Sequence, residues 1–120
     1  DEHAMALVLD AGDLATADAT RALGDGLYLN NLWYLNYSDR ANARITGMTR
    51  FATLWVENGV PIAPCEPMRF DASLFDLFGA ELEALTRERE LIVDTSNYGF
   101  RSSETVLTPG ALIAAMDFTL

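Results

Sequence analysis

The sequence predicts a β-rich α+β domain, mostly antiparallel strands in hairpins or a meander with about two helices; barrel-like closure of the strands is left open. Three observations carry this. Two long stretches, "GLYLNNLWYLNYSD" and "ITGMTRFATLWVE", concentrate aromatic and β-branched residues on either side of the turn-forming "SDRANAR". An Asn-Gly pair at 58–59 follows the second stretch directly. Helix signals occur in two places, start and stop residues before these strands and apolar residues at helical spacing after them.

Taken in order, "MALVL" at 5–9 suits a short buried strand. The next segment carries helix signals: Asp13 as N-cap, Gly24 as the left-handed residue past the end, and a helix over roughly residues 14–23 between them. From Leu27, strict alternation would place Leu27, Leu29, Asn31, Trp33, Leu35 and Tyr37 on one face and Tyr28, Asn30, Leu32, Tyr34 and Asn36 on the other. Aromatics on both faces predict a strand covered on both sides or lying in a contact. In the second long strand Phe51, Thr53 and Trp55 alternate with Ala52, Leu54 and Val56. Asn58-Gly59 fits a type I′ turn, in which both central residues need positive φ. The three prolines of "VPIAPCEP" confine that run to an edge or a strand end, because proline donates nothing to a ladder.

Asp71 then opens an expected second helix, with Leu74, Leu77, Phe78, Leu82 and Leu85 at helical spacing, a break at Gly79, and "TRERE" as its solvated end. "LIVD" reads as a short strand, "TSNYGFRSSET" as loop, and "GALIAAMDFTL" as a packed closing strand.

The chain has 120 residues, enough for one domain with a real core and too few for two. Half the residues are apolar, which excludes a disordered acidic tail despite a formal charge of −10. Eighteen Asp and Glu face eight arginines and no lysine, so a phosphate backbone is repelled and nucleic acid is not an expected partner. No apolar run is long enough to span a bilayer and the N-terminal run lacks a basic flank, so neither membrane insertion nor a signal peptide is expected. Cys65 is the sole cysteine, which rules out an internal disulfide and suits the cytoplasm.

Residues able to do chemistry are sparse. His3 is the single histidine, and with Cys65 it would make a poor zinc site; Cys65 is a weak metal-ligand candidate, more simply read as a small buried hydrophobe. The acidic residues of 71–90 suit a helix cap and a solvated face, "GDG" lacks the context of a phosphate loop, and Ser102-Ser103 has no histidine partner. No residue is assigned a catalytic role. Above this background stand Tyr28, Trp33, Tyr34, Tyr37 and Trp55, readable either as ordinary core or as an interface and binding surface. Arg50 and Arg69, each beside a phenylalanine, are readable as surface ion-pair formers.

The ordered blocks "GLYLNNLWYLNYSDRANARITGMTRFATLWVENG", "PMRFDASLFDLFG", "LEALTRERELI" and "LTPGALIAAMDFTL" resemble the C-terminal part of the TldD/PmbA family, from about Ala11 onward. The family is described both as TldD-related metallopeptidases and as modulators of DNA gyrase. The resemblance implies a cytoplasmic protease of two subunits, a homodimer or a pair of related TldD/PmbA-type subunits, cleaving unfolded or precursor peptides with a zinc ion on an HExxxH helix. It also implies a cysteine from the C-terminal region that completes the metal site; Cys65 is the one candidate here, but its context does not match and no ligand role is carried over. This sequence has no HExxxH. Residues 1–120 are therefore expected to form a single C-terminal domain for scaffold and dimer contact, with zinc in the full-length catalytic subunit and none in this chain. Two other readings accompany it: a non-catalytic binding and assembly subunit, and a protein-interaction domain that modulates gyrase.

Overall fold

The structure, a computed structural model, describes residues 4–96, 99 and 101–119. Eight strands form two open sheets. The larger sheet is made by β2 (Gly26–Asp39), β3 (Arg44–Glu57), β4 (Val60–Pro64), β5 (Arg69–Ser73) and β8 (Phe118–Thr119). Its strand order is β2-β3-β5-β8, and β4 also pairs with β3. The smaller sheet has the order β1-β7-β6, from β1 (Ala6–Val8), β7 (Thr105–Ile113) and β6 (Leu82–Val93). All pairings between strands are antiparallel except β1 with β7. Neither sheet closes on itself, so the expected β-rich α+β class holds without a barrel.

The long hairpin forms where turn chemistry and β-propensity place it. Asp39 accepts the backbone N–H groups of Ala41 and Asn42 at 3.0 and 3.3 Å, folding the 40–43 connection back on itself. At the other end of β3, Asn58 and Gly59 have φ of 48° and 76°, as a type I′ turn requires, and Glu57 pairs with Val60. The same turn is anchored from outside: Asn58 N–H donates to the Asp25 carboxylate at 2.7 Å and Gly59 N–H to the Gly24 carbonyl at 2.8 Å. The proline-rich β4 lies at the edge, as expected, beside the C-terminal half of β3, while β5 takes the N-terminal half.

Two helical segments occur where they are expected, one before and one after the long strands, but with corrected bounds. The first is a 3-10 turn (Thr16–Asp18) running into α1 (Ala19–Leu23), without a side-chain cap from Asp13. Residues 12–14 instead run along β6: Gly12 N–H donates to Thr86 O, Leu14 N–H to Leu85 O, and Arg87 N–H to Leu14 O. The capping role passes to Glu88, whose carboxylate accepts the Thr16 backbone N–H at 2.7 Å and its hydroxyl at 2.8 Å. Gly24 does end the helix with a positive φ of 70° and its N–H returns to Thr20 O, but its ψ of −97° is not that of the expected left-handed cap.

The second expected helix is mostly strand. Asp71 lies inside β5, a single π-helical turn (Asp76–Ala80) contains the predicted break at Gly79, and Leu82 and Leu85 belong to β6. "TRERE" is the middle of that strand. There Thr86, Arg87 and Glu88 leave the β7 ladder, between the pairs Leu85–Ala111 and Arg89–Pro109; Thr86 and Arg87 bind Gly12 and Leu14 instead, and Glu88 binds Thr16. The Thr86 hydroxyl, in a side chain 5% exposed, closes the gap by accepting Gly110 N–H at 2.7 Å and donating to Glu88 O at 2.8 Å. "LIVD" is strand through Val93, and the described residues of 94–104 lie outside strands. Asn97, Tyr98 and Phe100 of the expected loop, His3, and the closing Leu120 lie outside the described residues.

The core is small. Phe70, Ala72 and Leu77 are buried together, with Leu32, Ile45, Ile113, Met116 and Phe118 packed around them. β1 is a strand as expected but not a buried one, because Leu7 and Val8 remain 47% and 61% exposed. At this end of the small sheet, Leu7, Val106 and Ile92 form one apolar row across the strands. Val8, Leu107 and Leu91 form another on the opposite face. Among the described residues no helix is long and apolar enough to cross a membrane.

The Glu88 contacts make stability depend on pH. Glu88 titrates below its ordinary value of 4.5, first because of the Thr16 backbone N–H and then because of its hydroxyl. A folded value below the unfolded one means that stability is present above the unfolded value and lost as pH falls through the folded one. Asp39, held down first by the Asn42 side chain, and Asp71, held down first by Ser38 and then by Arg44, act in the same direction from 3.8. Stability should therefore hold at neutral pH and decline on acidification below these ordinary carboxylate values. Glu88→Gln should make the upper part of that decline shallower, measured as Tm against pH.

Candidate functional site

The five aromatic residues singled out in the sequence separate into three places on the long hairpin. Tyr28 pairs with Leu54 and Trp55 with Leu27, on adjacent rungs and so on opposite faces. Both are partly exposed, and the Trp55 indole N–H donates to the Glu57 carboxylate at 2.8 Å. Near the far end of the hairpin Tyr37, 55% exposed, lies under the Arg40 guanidinium at 5.4 Å. Between them Trp33 and Tyr34 meet edge to face, with ring centroids 4.4 Å apart.

That middle group is built by two irregularities. The register shifts between Leu29 and Asn31, opposite Phe51, and again between Trp33 and Asn36, opposite Gly47. Phe51 and Tyr34 sit at these shifts with φ of 60° and 54°. Left-handed backbone costs a bulky residue on the order of 1–2 kcal/mol. Each shift also breaks the alternation, so Thr53 is 3% exposed while Phe51 is 70% and Tyr34 67% exposed. The expected single face for Phe51, Thr53 and Trp55 is therefore corrected; of the two alternatives for the first long strand, coverage on both sides is not met within this chain, where Tyr34 and Tyr37 are exposed. Gly47 permits the second shift: a Cβ there would stand 2.8 Å from the Trp33 carbonyl oxygen and 2.9 Å from the Phe70 ring.

Arg50 completes the group. Its guanidinium lies 4.3 Å from the Trp33 ring centroid and 4.4 Å from that of Phe51, so one cation is shared by two rings. Sequence reasoning set Arg50 aside as an ion-pair former and omitted Phe51 from the interface residues. The missed signal was its position beside a bulge, which period-two counting does not register.

Cys65 is half-buried next to β4, and its backbone N–H donates to Thr53 O at 2.8 Å. Among the described residues no three His, Cys, Asp or Glu side chains gather closely enough to hold a metal ion. A cleft of about 670 Å³ opens between the two sheets, lined by Leu14, Leu23, Leu27, Glu88, Arg89 and Phe118 among others. None of the five singled-out aromatics except Tyr28 reaches it.

The sequence model of a family described as "PmbA/TldA metallopeptidase C-terminal domain" matches residues 3–120. No curated protein matches the chain.

Proposed function

Since the chain belongs to the PmbA/TldA metallopeptidase family, matching its C-terminal domain over residues 3–120, we propose that it is the scaffold and dimerisation domain of a cytoplasmic peptidase subunit acting on unfolded or precursor peptides. Zinc chemistry in such an enzyme, polarising the scissile carbonyl and acidifying a water, needs the HExxxH ligands, which this chain does not contain. With one histidine and no HExxxH in 120 residues, the metal of a catalytic subunit would be held outside this chain. In this reading Cys65 is assigned a structural role.

The observation that carries this reading is surface area. The chain exposes 8739 Å², whereas a compact monomer of 13.2 kDa exposes about 6,400 Å². The excess of about 2,300 Å² is the size of a substantial subunit or domain contact. Much of it is apolar: Tyr34, Phe51, Phe75, Phe78, Val8 and Leu91 are each more than half exposed. Such surface suits a module that other parts of an assembly cover.

The test is hydrolysis by the 120-residue chain alone, with an unstructured peptide as substrate and added zinc. The expected result is none, and cleavage abolished by a chelator would overturn the reading.

A further inference from the structure

Six of the chain's eight arginines, all but Arg69 and Arg101, divide into two groups. Arg21 sits on Asp18 and Arg44 on Asp71, while Arg87 and Arg89 donate to the backbone carbonyls of Asp13 and Leu9. The side chains of Arg40 and Arg50 lie on aromatic rings, with no hydrogen bond or ion pair among the described residues. Both belong to residues 37–51, which hold three arginines and one aspartate and carry +2, leaving −12 on the rest of the chain.

We infer that the face carrying Trp33, Tyr34, Arg50 and Phe51 is the contact for a second copy of this chain, with Arg50 and Arg40 receiving carboxylates of the partner's acidic surface. This rests on the dimerisation reading above and locates it. Three features argue for that occupant. Two chains of −10 repel one another at most orientations, and the 37–51 segment is the stretch whose sign is complementary to the remainder. The Arg50 guanidinium lies over two rings, which helps hold the side chain in place, and a guanidinium offers the fork of N–H donors that matches a carboxylate. Finally, Tyr34 and Phe51 are held outward by strained bulges, and tryptophan, tyrosine and arginine are the residues in which binding energy concentrates.

Sedimentation velocity on the intact gene product that carries this domain tests the inference, at about 50 and about 500 mM NaCl to vary screening. Arg50 is exposed, so its replacement spares the fold. The parent should dimerise, more weakly at high salt. Arg50→Glu should raise the dissociation constant roughly tenfold or more, and Arg50→Lys by less, since lysine keeps the charge and loses the fork. Phe51→Gly separates contact from structure: it should weaken association while Tm holds or rises, because glycine accepts the positive φ without strain. A parent that stays monomeric at every concentration would overturn the dimerisation reading and the inference with it. A dimer whose dissociation constant is unmoved by Arg50→Glu and Phe51→Gly would overturn the inference alone, placing assembly on another face.

Discussion

Gly12→Ala is expected to destabilise the protein by about 3 kcal/mol or more, at the upper end for an overpacking change, because the obstruction is backbone and cannot rotate away. A Cβ at position 12 would stand 2.8 Å from Leu85 Cβ and 2.9 Å from the Leu85 carbonyl carbon. Moving that carbonyl is not a local matter. It accepts the Leu14 N–H, and the adjoining Gly12–Thr86 and Arg87–Leu14 bonds are 3.0 and 2.7 Å long. All three belong to the place where β6 leaves β7, so relief of the clash would release the N-terminal segment from the small sheet. The check is thermal unfolding, where the loss should lower Tm by roughly 10 °C or more in a domain of this size. Hydrogen exchange should show the Thr86 and Arg87 region opening first.

Phe70→Ala should cost about 3–5 kcal/mol by leaving a ring-sized cavity. Phe70 is 2% exposed, joins Ala72 and Leu77 in the buried cluster, and meets Phe118 with ring centroids 6.4 Å apart. Its register partner is that same Phe118, so the substitution should also loosen β8 from β5. Denaturant unfolding gives the magnitude, and Phe70→Leu should recover part of it. With so few fully buried side chains, no neighbouring cluster can compensate. The aromatics on the outer hairpin face contrast with this, since their replacement should alter association more than folding.

The parts legible in the sequence were those that local chemistry specifies. Asn58-Gly59 demanded positive φ and obtained it, the prolines of β4 kept it at an edge, and Gly24 ended its helix. The TldD/PmbA resemblance rested on ordered blocks and agrees with the family match. Illegible were features decided by distant partners. Asp13 was a sound cap by local rules, but residues 12–14 pair with β6, and Glu88, 72 residues beyond Thr16, takes the cap. Leu82 and Leu85 stand at helical spacing from Leu74, yet the β7 ladder claims them as strand. The aromatic group escaped because a bulge shifts side-chain parity by one, moving Phe51 from the side of Thr53 to solvent. No periodicity count contains that shift.

Native mass spectrometry of the intact gene product, compared with its Cys65→Ser variant, addresses the central claim that this domain supplies assembly while metal is held elsewhere. Both proteins should be dimers, and the substitution should leave the zinc content unchanged. A monomeric parent, or zinc lost together with the Cys65 thiol, would contradict that claim.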